Sequence, residues 1–378
     1  MEASQVSRGG VVAVYSVPGH SFVHRHERAT REGVARRLAA LKGFDFAGEY
    51  APGRHAPGRV YLVPSDTLVG VEAARALGIR GEDDLFGGVV PHAFAATKVI
   101  THPLVLPDAA APAGWSPEFG RRVSHAVLAG FSAFTPGDAR RAGMLLLARS
   151  PVRLKPVRAT GGRGQVVLRD TAALDAALGS IDPAELSRDG LVLEEELAEV
   201  TTYGVGQVRV AGLEATYCGT QRLTPDNAGT AVYGGSDLLV ARGGFAAMLD
   251  LNPGEETRHA VEQARAYDAA ATECFPGLFA SRRNYDVACG TDAAGRRRCG
   301  VLEQSWRIGG ASGAEVAALE AFRADPALRA VRAATVEVYG AGAAAPPPGA
   351  AVYFRGVDER DGPITKYATI ERHDGDAR

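Results

Sequence analysis

Apolar and polar positions at the start of the chain alternate in the order strand, helix, strand, helix. Residues 11–15 are a continuous apolar run, which is typical of a strand buried on both faces, and residues 60–63 repeat this pattern. An amphipathic helix ending near residue 42 follows the first run, and residues 67–77 show a second helical pattern. This order predicts a small parallel sheet with helices on its faces over roughly residues 9–95.

Beyond residue 95 the pattern predicts further strands and helices without an internal repeat. Strands are predicted at residues 127–134, 191–197, 202–210, 214–222 and 237–240, and helices at residues 91–100, 136–142, 171–178, 255–275, 315–323 and 327–337. Loops or linkers are predicted at residues 108–116, 225–235 and 342–349, and a closing hairpin at residues 351–355 and 364–370.

A glycine-rich hairpin over residues 153–167 carries the first candidate chemistry. Its glycines let backbone N–H groups approach an anion, and cationic side chains stand beside them. The residues concerned are Lys155, Arg158, Gly161, Gly162, Arg163 and Gly164. The spacing fits neither a P-loop nor a dinucleotide-binding fingerprint. The hairpin predicts a polyphosphate site, with an ordinary arginine-bearing turn as the alternative.

Lysine is rare in this chain, which makes the position of each lysine informative. Four of the 42 basic residues are lysines, namely Lys42, Lys98, Lys155 and Lys366. An ammonium group is a compact charge that fits between phosphate oxygens, whereas the guanidinium group is planar and binds differently. We therefore expect Lys155, at the mouth of the glycine loop, and Lys98 to contact phosphates.

A second candidate site lies on a predicted hairpin of residues 284–290 and 300–307. If the hairpin turns near residues 294–295, Asp286 lies opposite Glu303, on the same face as Ser305 and Arg307. Opposed carboxylates destabilise a sheet unless one is protonated or a cation binds, and such oxygen pairs hold Mg²⁺ beside phosphates. Two exposed acids on a polar face are the alternative, and a one-residue slip would separate the pair.

Composition and charge exclude several classes of protein. A hydrophobic content of 46% and a charged content of 23% are typical of a globular protein, and a net charge of −2 gives no footprint for nucleic acid. The early apolar run at residues 11–17 is too short for a signal sequence or a membrane span, so we expect a cytoplasmic protein without a membrane partner. The four cysteines lack zinc-site spacing, and we expect reduced thiols.

Three histidines follow the first predicted strand, at the edge of the sheet where such folds bind ligands. They are His20, His24 and His26. No carboxylate or cysteine completes a set of metal ligands with them, so we expect solvated loop histidines rather than a metal site.

Taken in order, these segments resemble the ATP-grasp superfamily of ligases over most of residues 10–340. The resemblance rests on Lys98, on Lys155-Pro followed by Gly-Gly-Arg-Gly, on the acidic stretch 194–197, and on Asp286 with Glu303-x-Ser-x-Arg. The whole chain also looks like a bacterial family with this signature, whose substrate the resemblance does not give. It implies an α/β fold, α+β in the C-terminal part, namely an ATP-grasp fold with an N-terminal Rossmann-like pre-ATP-grasp domain.

The resemblance implies that the chain is divided into four segments. Residues 1–95 would be the pre-ATP-grasp α/β domain and residues 96–200 the N-terminal ATP-grasp subdomain with the phosphate loop. Residues 201–345 would be the C-terminal subdomain with the metal site, and residues 346–378 a proline-rich linker with a C-terminal hairpin or tail. The implied partners are small-molecule carboxylate and amine substrates, and a homodimer is the default for a soluble enzyme.

The resemblance further implies ATP and Mg²⁺, or Mn²⁺, as cofactors. Lys98 and Lys155 would hold the α- and β-phosphates, the glycine loop would close over the β- and γ-phosphates, and residues 194–197 would bind the adenine edge. The nucleotide-binding residues implied in this way are Lys98, Lys155, Arg158, Thr160, Gly161, Gly162, Arg163, Gly164, Glu194, Glu195, Glu196, Leu197 and Glu199.

The metal site departs from the family's pattern at one position, and the ribose site at another. The implied metal ligands are Asp286, Glu303 and Ser305, and the implied catalytic residues are Lys155 and Arg307, which would orient the acylphosphate. The family has asparagine where Ser305 stands, and the shorter hydroxyl leaves room for a water. The glutamate that grips the ribose has no clear counterpart, since Glu199, Thr202 or Tyr203 stands nearest.

The sequence thus predicts an ATP- and Mg²⁺-dependent ligase that converts a substrate carboxylate to an acylphosphate for attack by an amine or similar nucleophile. An ATP-dependent small-molecule kinase on the same fold is one alternative. A non-catalytic ATP-binding or regulatory protein is another, which both departures favour. Substrate-contacting residues are expected on loops, with residues 20–26 and 224–236 as candidates.

Overall fold

The computed structural model describes residues 9–20, 24–53, 60–158 and 164–372. Its N-terminal part contains β1 (Val11–Tyr15), α1 (Arg25–Lys42), β2 (Asp45–Glu49), β3 (Val60–Pro64), β4 (Leu68–Val69), α2 (Val71–Ala76) and β5 (Gly88–Val90). Strand β1 lies between β2 and β3 and pairs in parallel with both. Helix α1 packs on β1, which confirms the predicted parallel sheet with a helix on its face.

The N-terminal part differs from the prediction in two elements. Strand β2 was not predicted, because its sequence Asp-Phe-Ala-Gly-Glu contains no apolar run, and it pairs along one edge only. The second helix is shorter than predicted. Residues 68–69 pair with β5 instead, and Gly70 adopts a φ of 91° that separates this strand from the helix.

Two 3₁₀ turns, Ala93–Ala96 and Lys98–Thr101, replace the single helix predicted at residues 91–100. Thr97 between them has extended backbone, and its side chain accepts a hydrogen bond from the Val99 N–H. Thr97 therefore interrupts one turn and caps the next. The result places Lys98 at the start of a short, buried turn.

An antiparallel four-stranded sheet follows these turns. This part contains α3 (Pro117–Arg122), β6 (Gly130–Ala133), α4 (Pro136–Leu147), β7 (Val152–Pro156), β8 (Val166–Leu168), α5 (Thr171–Gly179), α6 (Pro183–Asp189) and β9 (Leu191–Glu195). The strand order is β6, β9, β7, β8. The predicted hairpin of β7 and β8 is confirmed, whereas residues 159–163 of its loop lie outside the described part of the chain.

The C-terminal half is built on one large antiparallel sheet. Its elements are β10 (Ala198–Val210), β11 (Leu213–Pro225), β12 (Ala231–Arg242), α7 (Phe245–Asp250), α8 (Glu255–Cys274), β13 (Phe279–Ala280), β14 (Arg282–Thr291), β15 (Arg297–Ser305), α9 (Ser312–Ala324), β16 (Ala330–Tyr339), β17 (Ala351–Asp358) and β18 (Gly362–Arg372). Eight strands form the sheet in the order β15, β14, β10, β11, β12, β16, β18, β17. The predicted closing hairpin is confirmed as β17 and β18.

Two predictions in this half are wrong. Residues 327–337, predicted as a helix, form most of β16, because pairing with β12 on one side and β18 on the other outweighs the helical preference of an alanine-rich sequence. Residues 225–235, predicted as a loop, are mostly strand. The turn between β11 and β12 shrinks to residues 226–230, where the Asp226 carboxylate accepts hydrogen bonds from the N–H groups of Ala228 and Thr230.

The expectation of four reduced thiols is also wrong for one pair of cysteines. Cys289 on β14 and Cys299 on β15 are directly opposite each other, with Cα atoms 4.1 Å apart, and form a disulfide. Cys218 and Cys274 are free thiols. Sequence spacing alone did not reveal the pair, because the two residues meet only through the register of the hairpin.

Two hydrophobic cores lie against the large sheet. One surrounds α8, and the other joins α1 and β1 to α9 and the strands β10, β11, β12 and β16, so the N-terminal part and the large sheet share a core. Within the described ranges, no helix is both long enough and apolar enough to cross a membrane.

A buried ion pair ties β14 to α9. Both nitrogens Nε and Nη2 of Arg282 donate to the Glu315 carboxylate at 2.7–3.1 Å, and both side chains are at most 2% exposed. The same guanidinium donates to the carbonyl of Arg307 at 2.6 Å. Arg282 therefore holds the segment between β15 and α9 in place.

We expect Glu315→Gln to lower the free energy of unfolding by about 3 kcal/mol, because the buried guanidinium loses its counter-charge. Glu320→Gln on the same helix is the matched control. Its partner Arg37 is half-buried, so the loss there should stay below about 1 kcal/mol. Urea unfolding measures both values, and equal losses would contradict a special role for the buried pair.

Candidate active site

A cavity of about 900 Å³ opens between the four-stranded sheet and the large sheet. Strands β7 and β9 line one side of it, and β10, β11, β14 and β15 line the other. The turn that carries Lys98 also lines the cavity, as do His20 and Asp66 of the N-terminal part. The cavity therefore gathers most of the side chains that the sequence singles out.

The carboxylates of Asp286 and Glu303 meet in this cavity. The two residues are register partners on β14 and β15, as predicted, and the register shifts only after them. Burial, followed by the charge of Glu303, raises the pKa of Asp286 to about 6, although a hydrogen bond from Asn284 opposes this rise. The pair thus carries negative charge that a cation would relieve.

Lys98 supplies part of the compensating charge. Its Nζ lies 2.8 Å from Glu303 Oε2, and the lysine side chain is only 6% exposed. The Gln304 side chain, adjacent to Glu303, donates to the carbonyls of Ala95 and Thr97 and so fixes the turn that carries this lysine. Strand β15 therefore carries Glu303 and, through Gln304, also positions Lys98, the cation that pairs with Glu303.

The donor set fits a hard divalent cation. Two carboxylates lie close together, and the Ser305 hydroxyl follows Glu303 on the same strand and also lines the cavity. Oxygen ligands of this kind are the ones that Mg²⁺ and Mn²⁺ prefer. Lys98 occupies the position of a counter-ion, which is the charge arrangement expected next to a metal and phosphate site.

On the wall formed by β7 and β9, Lys155 pairs with a buried acid. Its ammonium pairs with Glu194 on β9, and the same carboxylate is 3.0 Å from His102 Nε2. Burial opposes ionisation of Glu194, but Lys155 and His102 together hold the pKa of this carboxyl below its ordinary value. The three side chains form a nearly solvent-free cluster, in which His102 Nδ1 has no hydrogen-bond partner among the described residues.

The remaining residues of the acidic stretch point in different directions. Glu195 accepts a hydrogen bond from the Ala129 N–H, and Glu196 forms a two-fold ion pair with Arg153. Leu197 is buried and lines the cavity. Each of the three acidic side chains thus has a partner within the protein, and all three line the cavity together with Leu197.

Of the other predicted nucleotide-binding residues, some line the cavity and some do not. Arg158 lines the cavity but pairs with Asp189 at 2.9 Å, and Gly164 ends the loop with a φ of 68°. Glu199 lies on an irregular stretch of β10 with a φ of 51°, is exposed and is not among the cavity-lining residues. Thr160, Gly161, Gly162 and Arg163 lie outside the described residues.

Arg307 lines the cavity and contacts the N-terminal part of the chain. Its Nε is 3.5 Å from Asp66, and Asp66 in turn pairs with His20 at 2.7 Å. Asp66 follows β3, so it stands at the carboxyl end of a parallel strand. The sequence did not single out Asp66, His102, Gln304 or Arg282, because nothing in the local pattern distinguishes them from ordinary polar residues.

The three predicted loop histidines separate in the structure. His20 stays at the rim of the cavity and is about half exposed. His24 and His26 stand at the start of α1 and face the carboxylates of Asp358 and Asp361. His26 is only 5% exposed, so the expectation of solvated histidines is wrong for this residue, which the C-terminal hairpin covers.

A parallel sheet, a four-stranded antiparallel sheet and a large antiparallel sheet, with a charged cavity between the last two, define an ATP-grasp fold over nearly the whole chain. The chain belongs to the family described as protein of unknown function (DUF3182), whose model matches residues 14–368. The predicted resemblance is confirmed at the level of the fold.

Solved structures show the same architecture at low sequence identity. The ADP complex of N5-carboxyaminoimidazole synthetase from Staphylococcus aureus aligns with 97% of this chain and 95% of its own, at 12% identity and a TM-score of 0.53. Phosphoribosylamine–glycine ligase from Thermotoga maritima aligns with 96% and 93%, at 14% identity and a TM-score of 0.50. A search of curated proteins gave no match.

The raised pKa of Asp286 predicts a pH-dependent loss of stability in the metal-free protein. The carboxyl has a folded pKa of about 6 and an ordinary value of 3.8, so its protonated form favours folding. The favourable contribution is complete below about pH 4 and is lost as the pH rises through about 6.

Asp286→Asn should therefore raise the free energy of unfolding at pH 7.5 by about 2 kcal/mol, a value reduced from the full shift because the carboxyl opens on the cavity. The gain should vanish at pH 4. Urea unfolding in EDTA at both pH values tests this, with the exposed Asp250→Asn as control. A variant no more stable than the wild type at pH 7.5 would show that ionisation of Asp286 does not destabilise the folded protein.

The buried pairing of Lys155 with Glu194 can be tested by unfolding experiments. Lys155→Met should lower the free energy of unfolding by about 3–5 kcal/mol, because it leaves the Glu194 carboxylate buried without its main counter-charge. The double variant Lys155→Met/Glu194→Gln should recover most of that loss. Thermal and urea unfolding measure the recovery, and a double variant as unstable as the single one would contradict the pairing.

Proposed function

We propose that this protein is an ATP- and Mg²⁺-dependent ligase. It activates a substrate carboxylate as an acylphosphate, which an amine or similar nucleophile then attacks. The observation that supports this most directly is the opposed pair of Asp286 and Glu303, with Lys98 against it, in a large cavity of an ATP-grasp fold. A strained carboxylate pair next to a buried lysine serves little purpose in a purely structural sheet.

Each wall of the cavity would have its own task. Asp286 and Glu303 would hold Mg²⁺ or Mn²⁺, with Ser305 as a further oxygen ligand, and the bound metal would neutralise phosphate oxygens. Lys98 and Lys155 would contact the nucleotide phosphates from the two sides, and Leu197 with neighbouring backbone groups would meet the adenine. Phosphoryl transfer depends mainly on such positioning and charge neutralisation.

Arg307 would orient the carboxylate substrate and its acylphosphate. Its side chain is 34% exposed, and its Nε lies 3.5 Å from Asp66, which in turn pairs with His20. An arginine in this position can bind a carboxylate or phosphate through two parallel hydrogen bonds. The N-terminal turn would therefore contribute to substrate choice, with small-molecule carboxylates and amines as the expected substrates.

We also propose the division of the chain at residues 95, 200 and 345. The segment 96–200 would provide the wall with Lys155, and the segment 201–345 the wall with the metal ligands. Residues 346–378 would act as an extension of the latter, since β18 pairs with β16.

We expect ATP with Mg²⁺ to stabilise the wild type by about 2.7 kcal/mol when the ligand is at a hundred times its Kd. The increase in Tm should require the metal, should be smaller with GTP, and should be lost in Glu303→Ala, which removes one ligand oxygen pair. Glu262→Ala, an exposed residue on α8, is the matched control and should behave as the wild type. No shift at millimolar ATP would refute the nucleotide site.

Product analysis separates the ligase from its alternatives. In the presence of an acid substrate and hydroxylamine, an acylphosphate would be trapped as a hydroxamate with release of ADP and phosphate. A stable phosphorylated product without hydroxamate would indicate a kinase. ATP binding without turnover over a broad panel of acids and amines would indicate a non-catalytic protein.

A further inference from the structure

A second cluster of polar side chains lies away from the cavity, where the start of α1 meets the C-terminal hairpin. His24 and His26 come from the start of α1, and Asp358 and Asp361 come from the end of β17 and the turn after it. One ligand atom from each of the four side chains lies within 4.8 Å of each of the others. The sequence could not show this set, because its two halves are more than 330 positions apart.

We propose that His24, His26, Asp358 and Asp361 bind a divalent transition-metal ion, with Zn²⁺ as the best match. This site is separate from the cavity that holds Asp286 and Glu303, and it stands whether or not the proposed ligase activity is correct.

The distances around Asp361 are those of converging ligands. Its Oδ2 lies 2.6 Å from His24 Nδ1 and 2.8 Å from His26 Nε2. The contact with His24 is not aligned as a hydrogen bond, and this buried Nδ1 has no hydrogen-bond partner in the described part of the chain. A short contact without hydrogen-bond geometry leaves both atoms available to an ion placed between them.

The spacing of the donor atoms suits four-coordinate zinc. Bonds of 2.0–2.1 Å in a tetrahedron put the ligand atoms roughly 3.3 Å apart. The measured separations of 2.6, 2.8 and 3.8 Å lie on both sides of that value. Small side-chain rotations would therefore be enough to surround the ion.

Asp358 is held in place as a carboxylate before any ion binds. Its Oδ1 accepts hydrogen bonds from the N–H groups of Arg360 and Asp361, and its Oδ2 accepts one from the His26 N–H. These three donors fix the orientation of the carboxylate. Each oxygen still has electron density available for a metal.

The composition of the cluster selects the class of metal. Two carboxylates balance the charge of a divalent ion, and two imidazoles favour zinc and its first-row neighbours over Mg²⁺ and Ca²⁺, which prefer oxygen. The site is therefore distinguishable from the all-oxygen site in the cavity by its metal preference.

Lys366 competes with the ion for His26. Its Nζ lies 3.3 Å from His26 Nδ1 and 2.7 Å from Glu337. A metal on Nε2 leaves the ring proton on Nδ1, so the ammonium must give up the ring and keep Glu337 alone. Removal of this ammonium should therefore strengthen metal binding rather than weaken it.

The test is a titration of the EDTA-treated full chain with Zn²⁺. Isothermal calorimetry measures the affinity and the number of ions bound, and thermal unfolding measures the change in Tm. We expect one Zn²⁺ per chain and an increase in Tm that excess Mg²⁺ does not reproduce. His24→Gln and Asp361→Asn should each weaken binding at least tenfold, and Lys366→Met should bind at least as tightly as the wild type. Asp361 is at a partly exposed turn, so its variant should fold normally.

His20→Gln is the matched control for the histidine variant, because His20 belongs to the same connection and also pairs with an aspartate but stands outside the cluster. It should retain wild-type zinc affinity. Absence of zinc binding at micromolar concentrations would overturn the proposal. So would equal affinity in the wild type, His24→Gln and Asp361→Asn, since the ion would then bind elsewhere.

Discussion

Compensation of buried negative charge is the constraint on which the cavity depends. Glu194, Asp286 and Glu303 are among the six acidic residues that line it, and an ionised carboxylate that is largely removed from water needs a cation nearby. Glu194 has Lys155 and His102, whereas Glu303 has Lys98. Burial, followed by the charge of Glu303, raises the pKa of Asp286 to about 6 in spite of the nearby Arg282 and Lys98.

Lys98 and Arg307 are positioned by neighbouring side chains that bond to the backbone around them. The Gln304 side chain donates hydrogen bonds to the turn that carries Lys98. The buried Arg282 pairs with Glu315 and donates to the backbone carbonyl of Arg307. The pair of strands β14 and β15 therefore carries both the acidic side chains of the cavity and the side chains that hold the neighbouring segments in place. Substitution of Gln304 or Arg282 would disturb the site without removing an acidic group from it.

The sequence predicted those features that follow from local spacing. Alternation along β14 and β15, together with a recognisable turn, was enough to pair Asp286 with Glu303, and the glycine-rich stretch was enough for the β7–β8 hairpin. Features that depend on distant contacts were not predicted. Examples are the strand β16, which two neighbouring strands impose on an alanine-rich segment, and the carboxylates that the C-terminal hairpin brings to His24 and His26.

Contacts with residues distant in sequence also explain why the partners of the acidic side chains at residues 194–196 were not predicted. Local pattern identified residues 194–197 as a unit, but the direction of each side chain was set by partners on other elements, such as His102, Ala129 and Arg153. A charge run shows where polar groups accumulate. It does not show which of them are already satisfied by the protein.

The packing of α1 under the C-terminal hairpin has a consequence for how the chain is made. Arg37 donates to the hydroxyl of Tyr353, 316 positions later, and the ring of Tyr353 lies against Gly33. Helix α1 leaves the ribosome well before the strand that covers it has been synthesised. The nascent N-terminal part must therefore wait with one face uncovered until that strand is made, and it is during this interval that it is most exposed to aggregation.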